Sequence, residues 1–172
     1  MNTIQKLMKA FSLLFACSLT FLLASCGSDL PPDVRQAYDL LPGKLDFNYD
    51  VKPILSDKCF ACHGPDAKKR KADLRLDIAE EAYRALGEDK SYHAIVPGNS
   101  GKSMAVQRIL SQDPEMLMPT PESHLSLTVK EKAILIKWIE DGAEYQPHWS
   151  FIKPEKIKAP KVKNEDWLRN PI

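Results

Sequence analysis

Apolar residues along this chain form one unbroken block followed by several spaced stripes, and the two patterns call for different surroundings. From Ala10 to Ala24 no charge interrupts a run of roughly fifteen residues, which is short for a bilayer span and follows Lys6 and Lys9 in the order of a signal peptide. Beyond it the apolar positions recur at helical intervals. Ile134, Leu135, Trp138 and Ile139 share a face of a segment opened by the capping-box pattern Thr128-Val129-Lys130-Glu131 and closed by Gly142. Asp50 is placed to cap an earlier helix whose first turn holds Val51, Lys52 and Pro53, with Ile54 and Leu55 turned inward. These two helices are expected to pack on one another. Asp77 to Leu86 and Ser103 to Leu110 read as shorter helices, divided by a turn at Pro97-Gly98-Asn99, and no run alternates like a strand. The predicted fold class is all-α.

Composition narrows this picture. The 172 residues carry 24 Lys and Arg against 23 Asp and Glu, and loss of Lys6 and Lys9 with a leader would leave the mature chain near neutral. That balance gives no reason to expect a nucleic-acid partner. The expected organisation is a leader over 1–25, a tether over 26–45 with paired prolines and little periodicity, a helical domain over 46–146, and a Pro/Lys-rich extension over 147–172.

The four cysteines leave no free pair for a structural disulfide. Cys17 lies in the apolar run, Cys26 ends it, and Cys59 and Cys62 are followed directly by His63. Leu23-Ala24-Ser25-Cys26 resembles the lipobox of bacterial lipoproteins, in which the cysteine receives a diacylglycerol and becomes the first mature residue. Cys26 is therefore the expected lipid anchor, and Gly27 after it favours the outer membrane. Two thiols three positions apart on a helical turn can reach both vinyl groups of one porphyrin, while the next side chain offers its imidazole to the iron. Cys59, Cys62 and His63 thus point to one covalent haem c. Zinc would need a second ligand pair, yet His93, His124 and His148 stand apart from any further cysteine.

A sixth iron ligand is expected from methionine. Met118 precedes Pro119, in a loop stiffened further by Pro121; Met116 competes with it, His124 does so less strongly, and Met104 reads as filler of an amphipathic segment. In the expected fold, N- and C-terminal helices pack around the haem.

Together these residues resemble the planctomycete-type cytochrome c domain, a divergent relative of class I cytochromes c. The resemblance runs from about residue 46 to 153, through Val51-Lys52-Pro53-Ile54-Leu55, the haem motif with Gly64-Pro65, Leu74-Arg75-Leu76-Asp77, Ile95-Val96-Pro97-Gly98-Asn99, Met118-Pro119, Trp138-Ile139 and His148-Trp149. It implies thioether bonds at Cys59 and Cys62, proximal ligation by His63 and distal ligation by Met118. It departs at Thr120, where a second proline commonly stands.

The implied role is a single-electron carrier, exported and held by lipid at the outer membrane, with protein donors and acceptors. The alternatives are an electron-input domain of a larger oxidoreductase or polysaccharide-degrading protein, or a haem-based gas sensor. No convergent acid–base pair suggests intrinsic catalysis. Gly98 to Ser103 lacks the leading glycine of a phosphate-binding loop, since Val96 occupies that place. Lys68 to Lys71 reads first as a solvated loop and second as a partner-steering patch; Arg75 is a candidate for a haem propionate; and Trp138 reads as core, with Trp149 and Trp167 packing the domain's exit.

Overall fold

The computed structural model describes residues 30–154. The leader, Cys26 and the last part of the C-terminal extension lie outside those residues. Six α-helices are described: α1 (Pro32–Asp39), α2 (Lys52–Lys58), α3 (Phe60–His63), α4 (Ala79–Tyr83), α5 (Met104–Leu110) and α6 (Val129–Glu140). Between α4 and α5 stands a two-strand antiparallel hairpin, β1 (Ala85–Leu86) with β2 (Tyr92–His93). The architecture is helical, and the hairpin is its only sheet among the described residues.

Helix α6 is the centre of the packing. The Thr128 side chain accepts from the Glu131 N–H while the Glu131 carboxylate accepts from the Thr128 N–H, completing the expected box. At the other end Gly142 takes φ +107, a left-handed conformation that costs a glycine little, and the N–H groups of Gly142 and Ala143 close back on Ile139 and Trp138 carbonyls. Six of the twelve α6 residues are buried, with Ile136 fully so.

The most extensive partner of α6 is α1, which lies in the stretch expected to be a tether. From Leu30 onward that stretch is folded onto the domain. Val34 is buried, Ala37, Tyr38 and Leu41 pack against the core, and the Tyr38 hydroxyl donates to Glu140 at 2.6 Å. The segment was hard to read because one buried valine and a few half-buried residues make too narrow a stripe to stand out in sequence.

Four further expectations change. The cap before α2 is Asp46, not Asp50: Asp46 accepts from the Asn48 and Tyr49 N–H groups, Asp50 accepts from the Asp46 N–H in return, and Phe47–Val51 forms a π-helical turn that runs into α2. Instead of packing along α6, α2 faces it across a cavity, with Leu55 on one wall and Leu135 and Ile139 on another. The Asp77–Leu86 segment is helical only at Ala79–Tyr83 and then turns into β1, because Leu86 is buried by pairing with Tyr92 across the hairpin. Trp149, expected to pack the exit, is 62% exposed beside Phe151.

An aromatic cluster joins the two ends of the domain. Tyr145 lies between Phe47 at 4.9 Å, Trp138 at 5.2 Å and Tyr83 at 5.9 Å between ring centroids. Its hydroxyl donates to the Leu76 carbonyl, Tyr83 donates to the Ala143 carbonyl, and the Trp138 indole donates to the Glu144 carbonyl. Each polar end is satisfied, so the rings can stay buried.

Candidate haem site

The segment that carries the thiols is positioned by two backbone bonds to one carbonyl. The Cys62 and His63 N–H groups both donate to the Cys59 carbonyl, which bends the chain into the single turn of α3. Gly64 then passes so close to Phe60 that a Cβ there would collide with its backbone, so only glycine allows the chain to leave α3 in this direction. The loop that follows folds back over His63, with the Lys71 N–H bonded to the Cys62 carbonyl at 2.8 Å and the Leu76 N–H to the His63 carbonyl at 2.7 Å.

Above this turn opens a largely apolar cavity of about 200 Å³. Cys59 and His63 border it from α3 and its start, Leu55 from α2, Met104 and Arg108 from α5, Met118 from the loop after α5, and Trp138 from α6. Cys62 is exposed and does not line it; both cysteines are free thiols. Met118 is held there by its own N–H, which donates to the Arg108 carbonyl at 3.2 Å. Met116 is 37% exposed and off the cavity wall, as is His124. Met104, expected as filler, stands on the wall instead.

Burial sets the electrostatics. The Cys59 thiol is pushed up to about 12 by desolvation, with Cys62 adding to the rise, so it stays protonated and apolar at neutral pH. That is unlike the low-pKa thiolates used for disulfide exchange. Burial also lowers the His63 pKa, the nearby Lys71 backbone acts in the opposite sense, and the Arg108 charge adds to the lowering. A neutral imidazole is the ligating form. The His63 Nδ1 is buried with no well-formed hydrogen bond, the Lys71 backbone being the polar group that faces the imidazole.

These residues fit a haem held by thioether bonds: an apolar slot, a half-buried imidazole whose pKa is lowered by burial, a protonated thiol on the same wall and a thioether on a loop. Among the described residues no three His, Cys, Asp or Glu side chains gather as a cage for a bare metal ion. Arg108 and Met104 are among the wall residues that sequence reasoning does not place there. Their spacing, four apart on α5, puts them on one helix face and was the available signal.

A helical segment with this motif on such a cavity has the features of a cytochrome c-like domain. The family model described as Planctomycete cytochrome C matches residues 59–122, and that segment is a planctomycete-type cytochrome c domain. The family implies a covalent haem c and a role in electron transfer. No curated protein matches the chain, and no solved structure does.

Proposed function

We propose that this protein is a single-electron carrier with one haem c, bonded through Cys59 and Cys62, ligated by His63 on one side and by Met118 on the other. The observation that carries the reading is that Met118, from a distant loop, meets Cys59 and His63, from one helical turn, on a single apolar cavity. Haem iron with both axial positions filled supplies reversible one-electron chemistry and leaves no open site for a substrate. The chain's contribution is to keep that chemistry dry and fixed. Leu55, Leu135 and Ile139 exclude water, the backbone bonds around α3 hold the imidazole, and the Met118 N–H bond to Arg108 holds the distal loop against α5.

The setting we propose is the periplasmic face of the outer membrane, with Cys26 carrying the lipid and redox proteins as donor and acceptor. The leader and Leu23-Ala24-Ser25-Cys26 support the address. The test is expression with cytochrome c maturation factors, followed by pyridine haemochrome and reduced-minus-oxidised spectra. A covalent, low-spin haem whose weak far-red methionine–iron band disappears in Met118→Ala and persists in Met104→Ala is the expected result. A band lost only in Met104→Ala reassigns the distal ligand; a high-spin haem that binds carbon monoxide in the unaltered protein favours gas sensing; and no covalent haem refutes the reading. Cys26→Ala should move the protein from the membrane fraction to the soluble periplasm.

A further inference from the structure

We infer that Arg108 is the receptor for the carboxylates of the bound cofactor, and that through this contact it raises the reduction potential. The inference rests on the haem reading above and adds to it a residue with a stated task. A haem presents two chemically different parts to its protein, an apolar macrocycle and a pair of propionate carboxylates, and the cavity offers apolar wall almost everywhere. Arg108 is the exception that suits the second part. It is half-buried on the wall, on the same α5 face as Met104, and near enough to His63 for its charge to be felt there.

The other nearby arginines are already committed. Arg70 donates to the carbonyls of Gly64 and Pro65, Arg75 is bound to Asp77 through two nitrogens, and Arg84 pairs with Asp73 and Glu81. Arg75, the propionate candidate in the sequence, is thereby neutralised away from the cavity. Among the described residues no ion pair includes Arg108. A half-buried guanidinium beside an apolar cavity is a fork of donors without an anion, and its planar geometry matches a carboxylate in two parallel bonds. Lys71 adds a second, more exposed charge at the rim.

The same residue holds the distal loop, since its carbonyl accepts from the Met118 N–H. Substitution of the side chain leaves that backbone bond available, so charge and loop position can be separated. A positive charge at the cavity disfavours oxidation of the iron, which adds one more positive charge nearby.

The experiment compares the haem-loaded protein with Arg108→Gln, Arg108→Lys and Arg75→Gln, by haemochrome content, redox titration and the propionate bending band in resonance Raman spectra. Arg108→Gln should favour the ferric state on the order of tenfold, about 59 mV for one electron, and shift the propionate band. Arg108→Lys should keep most of the potential and shift the band, because the charge remains and the paired geometry is lost. Arg75→Gln, an equal change in net charge, should move neither. If Arg108→Gln does not load haem, the Lys variant decides: a propionate band identical to that of the unaltered protein overturns the inference. An unmoved potential in loaded Arg108→Gln overturns it as well. Absence of covalent haem from the unaltered protein overturns the haem reading and this inference with it.

Discussion

Leu135 and Ile136 are neighbours on α6, yet they belong to two regions held together in different ways. Ile136 is fully buried on the side where the domain closes on itself, whereas Leu135 is one of the walls of the cavity beside His63 and Met118. On the closed side, α1, the π turn and the Tyr145 cluster fill space, and their polar ends are paired. On the cavity side, short turns and loops surround open volume, and one imidazole nitrogen has no well-formed hydrogen bond. The difference separates a scaffold that the protein completes alone from a half whose packing is completed by what it binds.

The largest effect that tests this division is at the thiols. Replacing Cys59 and Cys62 together by serine should abolish covalent haem in the haemochrome assay while far-ultraviolet circular dichroism of the scaffold helices persists; simultaneous collapse of α6 would show that the regions are not separable. Next comes the neighbouring pair. In haem-free protein Ile136→Ala should cost about 2–5 kcal/mol in urea unfolding, as truncations in filled cores do, and Leu135→Ala clearly less, because its side chain already borders open space. Loading haem should close that gap. Equal costs in both states would erase the comparison.

Smaller effects sharpen it. Thr128→Ala removes one half of the box at the start of α6 and should cost about 1 kcal/mol with or without haem, since the cap belongs to the scaffold. The smallest is alkaline. The Tyr38 hydroxyl is pushed up to about 12, first by burial and then by its bond to Glu140, so the folded state holds its proton more tightly than the unfolded chain does. Its contribution is fully present below about pH 10 and is lost as pH rises toward about 12. Tyr38→Phe should flatten that part of the alkaline unfolding curve, and an unchanged slope would remove Tyr38 from the account. Tyr83 and Tyr145, also raised by burial, keep the remaining slope in the same direction.

Local chemistry was legible where a few adjacent residues decide the outcome. Thr128 with Glu131 makes its box within one turn, Gly142 ends α6 because it tolerates a left-handed backbone, and the adjacency of Cys59, Cys62 and His63 raises the haem reading before any fold is known. Asp46 was missed in favour of Asp50 because both can cap, and only the π turn between them shows which carboxylate faces the free N–H groups. Met118 was singled out by the stiffness of its loop, but the contrast between it, the exposed Met116 and the wall residue Met104 is a matter of how that loop folds back on α5.

By itself the sequence determined the helical character and the two ends of α6, because each depends on residues within a turn of one another. Tertiary structure alone decided that α1 belongs to the domain, that Arg75 is taken by Asp77, and that Arg108 reaches the cavity. Those outcomes depend on contacts between residues far apart in the chain, and a side chain's partner is set by what the whole fold brings within reach of it.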